Sequence, residues 1–296
     1  MREILQINRL TKKYGRITAV DDLSVTVLPG QVYGILGPNG SGKTTTLSVV
    51  MGVITADSGT YSWFESENNT DSRKKIGSLI ETPNFYPYLS LTDNLRIVAA
   101  VKGVPVQDID RVLEIVGLSN RQNSSFITLS LGMKQRLAIA SVLLGDPGVM
   151  VLDEPANGLD PEGIVQIRNI ILAEREKGKT IIMASHILDE VEKLCTHAVI
   201  LKDGKQLAEG PVDQLLQTRK YYKVACDKNE LLAESLTRAG LIEDIKREND
   251  YLDIYPAKNT DGSDINKFAF EQGIVLRHLE LKKPTLENQF LELVKS

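Results

Sequence analysis

Cysteine is nearly absent from this chain. Cys195 and Cys226 are the only two among 296 residues, with neither metal-ligand spacing nor further cysteines around them. This excludes a disulfide framework and a cysteine-based zinc site, and it leads us to expect a reducing compartment. Long apolar runs are missing too: no stretch reaches the ~18–20 residues that a membrane-spanning helix requires. The start, Met1-Arg2-Glu3-Ile4-Leu5-Gln6, mixes charge with apolar residues, so no secretory signal is expected. Nor is there an excess of positive charge. Lys and Arg number 35 against 39 Asp and Glu, a formal net charge of −4, and composition therefore makes no electrostatic case for nucleic acid. There is no internal repeat, low-complexity segment or sustained heptad pattern. What is left is an ordinary globular composition, 42% hydrophobic and 25% charged, long enough for one large or two modest domains.

Against this plain background, Gly37-Pro38-Asn39-Gly40-Ser41-Gly42-Lys43-Thr44 fits the phosphate-binding pattern G-x-x-x-x-G-K-[ST]. The apolar run Val32–Leu36 precedes it and the helix-compatible Thr44–Val50 follows, the strand–loop–helix context the pattern needs. Its glycines let the backbone curl so that successive N–H groups point inward at an anion. The helix N-terminus adds partial positive charge and Lys43 a full one. Thr44, with Thr45 beside it, places a hydroxyl where a Mg²⁺ bridging two phosphates would sit. A nucleoside triphosphate is the expected ligand.

Further along, Val149-Met150-Val151-Leu152 reads as a buried parallel strand ending in two adjacent carboxylates, Asp153 and Glu154. Alone this is a common solvated strand end. Beside a phosphate loop, Asp153 could hold Mg²⁺ and Glu154 could take a proton from an attacking water. Patterning predicts strands at Ile4–Leu10, Leu23–Leu28, Tyr61–Phe64 and Thr180–Ala184. It predicts helices over Asp110–Val116, Gly163–Glu176 and Ile187–Leu194, and a mostly helical region over 91–144. Ala198–Leu201 and Gln206–Glu209 read as a hairpin through Asp203-Gly204. After Gly210-Pro211 the order becomes strand, helix, strand, strand, helix, strand, which matches a small split βαβ sandwich. A last helix is expected at Leu286–Val294. We place a boundary near Gln217–Lys220, giving domains 1–217 and 218–296.

At this point the ordered motifs resemble one family, the nucleotide-binding subunits of ABC (ATP-binding cassette) transporters. Leu129-Ser130-Leu131-Gly132-Met133-Lys134-Gln135-Arg136 is similar to the family's signature and stands just before the Asp153-Glu154 strand, as expected. Pro155-Ala156-Asn157-Gly158-Leu159-Asp160 resembles the D-loop, and Ser185-His186 resembles the switch histidine after its strand. Tyr14 sits where the family stacks an aromatic ring on adenine. The match covers roughly Ile4 to Pro211. It implies an α/β P-loop NTPase cassette: a parallel-sheet core, an antiparallel β-subdomain and a helical subdomain about 91–144. The split βαβ sandwich, a small ferredoxin-like α+β domain, would follow it. It also implies ATP and Mg²⁺ as cofactors, with Lys43, Glu154 and His186 acting in hydrolysis and Thr44 and Asp153 at the metal. Each of these residues also has a plainer reading: Asp160 and Ser130 could cap helices, and Tyr14 and His186 could be structural.

The resemblance further implies a cassette dimer, here expected as a homodimer. ATP at one phosphate loop would be completed by Ser130 and Gly132 of the facing copy, and hydrolysis would reopen the pair. Integral-membrane permease subunits are expected as partners, no nucleic acid is, and the chain is expected at the inner face of the cell membrane. Two departures stand out. Glu81 occupies the place of the family's usual glutamine, where a carboxylate could ligate metal or repel phosphate. The signature has Leu131 and Met133 where glycine and glutamine are usual. The combination of Ile80-Glu81-Thr82-Pro83-Asn84-Phe85-Tyr86-Pro87 with the signature Leu129-Ser130-Leu131-Gly132-Met133-Lys134-Gln135-Arg136 resembles the branch exporting peptide antibiotics, including bacitracin-resistance and lantibiotic-immunity transporters. The tail Pro284–Leu293 is similar to the end of many such subunits. A soluble ABC ATPase acting on ribosomes or DNA is the main alternative, but one cassette without a coiled-coil insertion argues against it. A non-catalytic nucleotide sensor would not need Lys43, Thr44, Asp153, Glu154 and His186 together.

Overall fold

The computed structural model describes residues 3–67, 70–81, 84–215 and 220–282. The expected last helix, the tail, Thr82-Pro83 and most of the expected domain boundary lie outside these residues. The described chain forms two compact units, one reaching Leu215 and one running from Lys220 to Lys282.

In the first unit, β1 (Leu5–Tyr14) and β2 (Ile17–Val27) form a long hairpin that β4 (Ser58–Trp63) and β5 (Ser66–Glu67) extend into an antiparallel sheet, in the order β2-β1-β4-β5. Both hairpin strands run further than their apolar alternation suggests. Polar residues continue the pairing, Lys12 opposite Val20 and Lys13 opposite Thr18, down to Tyr14 opposite Ile17.

A second sheet carries the chemistry. It contains β3 (Val32–Leu36), β6 (Ile76–Leu79), β7 (Val149–Asp153), β8 (Thr180–Ser185), β9 (His197–Lys202) and β10 (Lys205–Pro211), in the order β10-β9-β3-β8-β7-β6. Its pairings are parallel except for the β9–β10 hairpin. Every residue of β3, β7 and β8 is buried, as a parallel sheet covered on both faces requires. The strand β6 was not expected: with only four residues, two of them Gly77 and Ser78, it has too little apolar pattern to be read.

Helix α1 (Lys43–Val50) follows β3, and its Leu47, Val49 and Val50 share one apolar cluster with residues of both sheets. The sole tryptophan, Trp63, lies in this cluster, and its indole Nε1 donates 2.7 Å to the Val50 carbonyl at the end of α1, one of the acceptors a helix terminus leaves unpaired. Beyond the one-turn α2 (Thr70–Arg73), the region 91–144 holds α3 (Leu91–Lys102), α4 (Asp108–Ile115) and α5 (Leu131–Leu143), with two short 3₁₀ turns between α4 and α5. Then come α6 (Pro161–Glu176), α7 (Leu188–Leu194) and the one-turn α8 (Val212–Leu215).

The second unit has β11 (Tyr221–Cys226), α9 (Asn229–Arg238), β12 (Ile242–Glu248), β13 (Tyr251–Pro256), α10 (Gly262–Glu271) and β14 (Leu276–Lys282). The sheet order β12-β13-β11-β14, antiparallel throughout, is that of the split βαβ sandwich. Val224, Leu252 and Ile254 from the sheet pack with Leu232, Leu236 and Ile265 from the two helices.

Candidate nucleotide-hydrolysis site

The site lies at the carboxyl ends of β3, β7 and β8, where a parallel sheet delivers its loops. The loop after β3 is built by close approach. A Cβ on Gly37 would lie 2.3 Å from the Leu201 carbonyl, and one on Gly42 would lie 2.3 Å from the Ala19 carbonyl. Gly42 also needs φ +102°, a conformation open mainly to glycine. Lys43 is buried and turns back over the loop, donating to the carbonyls of Gly37 at 2.8 Å and Pro38 at 3.1 Å. A cleft of about 310 Å³ opens here, lined by Tyr14, Ala19, Asn39, Gly40, Gly42, Lys43, Thr44, Thr45 and Glu154. Tyr14, half exposed at the tip of the β1–β2 hairpin, forms one wall, with the Lys12 ammonium 5.5 Å from its ring centre.

Three side chains from three loops meet at Glu154. Its Oε1 is 3.3 Å from Lys43 Nζ, and its Oε2 is 2.8 Å from His186 Nδ1. The same Oε2 accepts the His186 backbone N–H at 3.3 Å. Glu154 itself has φ +47°, uncommon for a residue with a side chain. Its N–H donates to the Ala184 carbonyl at 3.0 Å, which holds the strained turn at the end of β7 against β8.

Asp153, one residue earlier, is buried, and burial raises its carboxyl above the usual carboxylate range. A hydrogen bond from Thr44 opposes this rise, Glu154 reinforces it, and Lys43 and the Glu81 backbone N–H oppose it. Glu81 therefore reaches the site through its main chain, at φ +59°, and is exposed. Asp153 Oδ1 and Ser41 Oγ are both buried without a hydrogen-bond partner. A hydroxyl, an orphaned carboxylate oxygen and a second hydroxyl beside a phosphate loop fit Mg²⁺, a hard cation that completes its shell with phosphate and water oxygens. Among the described residues no group of three or more His, Cys, Asp and Glu is placed to hold a metal ion.

Ser130, Gly132 and Asp160 do not line the cleft. Ser130 caps α5, accepting the Met133 N–H at 3.3 Å, and Asp160 caps α6, accepting the Gly163 N–H at 2.8 Å. The two helix starts are neighbours: Leu131 Cδ2 is 3.5 Å from where a Cβ on Gly158 would sit. Sequence reasoning missed Ala19. Its backbone carbonyl, set against Gly42, has no side-chain signal to reveal it.

This fold and site define a P-loop nucleotide-binding ATPase. A family model described as ABC transporter matches residues 20–157. Along 99% of its length the chain is 38% identical to the bacitracin transport ATP-binding protein BcrA of Bacillus licheniformis, covering 98% of that protein. It is 40% identical over 210 residues to the lantibiotic transport ATP-binding protein SrtF of Streptococcus pyogenes, spanning 71% of this chain and 92% of that one. Among solved structures, cbiO1 from Clostridium perfringens, part of the ABC transporter complex cbiONQ, matches with a TM-score of 0.67 and 25% identity over 80% of this chain and 96% of the other. The chain belongs to the ABC transporter ATP-binding family, whose cassettes bind ATP and couple its hydrolysis to transport.

Proposed function

We propose that this ATPase powers export of, or immunity to, a peptide antibiotic of the bacitracin or lantibiotic kind through a separate membrane permease. The observation that carries this is the similarity to BcrA along almost the whole chain, the C-terminal unit included, reinforced by SrtF over the cassette. Among the described residues no helix is long and apolar enough to cross a membrane, so a permease must supply the pathway, and the chain would lie against it at the inner membrane face.

At the site, the phosphate loop and Lys43 hold the triphosphate while Tyr14 packs on the base. Thr44 and Asp153 are the groups that would hold Mg²⁺, which when bound neutralises charge on the β- and γ-phosphates. Glu154 accepts a proton from the attacking water, and His186 holds the γ-phosphate and keeps Glu154 oriented. Ser130 and Gly132, away from the cleft of their own chain, complete the site of a second copy, so that ATP acts as part of a homodimer interface. Exposed Glu81, whose main chain reaches Asp153, tunes metal coordination or transmission to the membrane subunit; Glu81→Gln tests this, and unchanged turnover and antibiotic protection would refute it.

The test of function is a deletion strain challenged with bacitracin and with lantibiotics. Sensitivity restored to normal by the parent gene, and not by Glu154→Gln, is the expected result. Unaltered sensitivity to every peptide antibiotic tried would contradict the reading.

A further inference from the structure

About two helical turns beyond Asp160, Arg168 leaves α6 and reaches Glu190 on α7, the helix that begins two residues after His186. Arg168 Nε donates to Glu190 Oε2 at 3.0 Å while Nη2 donates to Oε1, a two-pronged fork. Glu190 is only 3% exposed. The underside of α7 is held separately. Val191 Cγ1 and Cys195 Sγ each lie 3.0 Å from where a Cβ on Gly34 would sit, so the glycine lets α7 rest directly on β3, the strand that feeds the phosphate loop. A seven-residue helix has no stable position of its own. This one is gripped from below by apolar packing and from the side by the fork.

Apolar packing sets distance but little direction, whereas a planar guanidinium–carboxylate fork fixes angle. A buried ion pair is also a poor source of stability, since apolar replacements of similar volume are often neutral or better. We infer that the Arg168–Glu190 fork is a positioning device: it fixes the orientation of α7 relative to α6, and so holds His186 in register with Glu154. The inference rests on the proposed roles of Glu154 and His186. Arg168 and Glu190 themselves do not line the cleft, and act through the helix.

The experiment compares MgATP hydrolysis and melting of the full chain with those of Arg168→Leu/Glu190→Leu, Arg168→Lys and His186→Ala. The double variant removes both charges together, so the buried Glu190 carboxylate is not left unpaired when the partly exposed Arg168 is lost. It is expected to melt near the parent and keep KM for MgATP, with kcat lower by roughly tenfold or more, the scale of loss that small misplacements of reacting groups cause. Arg168→Lys keeps the charge but loses the fork, and it is expected to lower kcat with KM unchanged. A merely structural pair predicts the reverse: kcat follows melting and returns to the parent level in the double variant. That result, with His186→Ala impaired, overturns the fork alone. Unimpaired His186→Ala overturns the underlying reading of the site. Should the double variant fail to fold, Arg168→Lys with parental kcat overturns the proposal by itself.

Discussion

Glu154 meets Lys43 on one oxygen and His186 on the other, at a backbone angle few residues with side chains adopt. A residue that serves only to end a strand has no need of such contacts. Glu154→Gln keeps the shape and loses the base, so turnover is expected to fall by about 10²–10⁴-fold while ATP still binds; phosphate release and nucleotide titration measure the two separately, and near-parental turnover would remove Glu154 from its role. Gly42 gives a second expectation. Gly42→Ala forces a Cβ against the Ala19 carbonyl at a φ of +102°, so nucleotide binding should be lost along with part of the folding stability. Calorimetric titration and thermal melting check this, and unchanged affinity would contradict it. These residues were legible because the phosphate-loop pattern is contiguous and each position has a chemical reason. Ala19 was not, because its contribution is a main-chain oxygen brought close by the fold.

Between elements, the parallel sheet was largely readable from its apolar runs, while β6 and the far end of the β1–β2 hairpin were not. In both cases neighbouring strands supply the pairing that local pattern lacks. The helical region shows the same limit: Ser130 reads equally well as a cap or as a phosphate-facing hydroxyl, and it does cap α5. A network of charges ties the start of α4, the loop after α5 and the end of α6. The Arg111 fork holds the Asp108 carboxyl below its usual range, and Lys179 does the same for Asp146. Burial pushes Glu174 upward, but hydrogen bonds from Lys177 and Lys179 outweigh it, and its carboxyl too is lowered. Carboxyls depressed in the folded state contribute stability that is fully present above their unfolded values, near pH ~4, and is lost as pH falls through the folded values. Denaturant midpoints should therefore drop as pH is taken from neutral to about 3, and Asp108→Asn should flatten that dependence. An equally steep loss in Asp108→Asn would take Asp108 out of the account.

At the scale of the whole molecule, one unit holds the phosphate loop with Lys43, Glu154 and His186 around it, and the other a split βαβ sandwich with its own apolar cluster. The order of elements from β11 to β14 was readable because turn residues divide them, whereas the one-turn α8 just after Pro211 was not. What that unit recognises was not, since no residue pattern in it carries a chemical signature. The same asymmetry runs through function: ATP chemistry is written in contiguous motifs, whereas the transported molecule would be met by another chain. Under the proposed function, ATP binding drives a membrane partner. The direct test is to purify tagged Glu154→Gln protein, with Mg-ATP, from gently solubilised membranes of its own host, and to identify by mass spectrometry what comes with it in stoichiometric amount. The expected result is a multi-span membrane protein, absent when Lys43→Ala replaces the phosphate-loop lysine. Ribosomal or DNA-repair proteins in its place, with no membrane protein, would contradict the account.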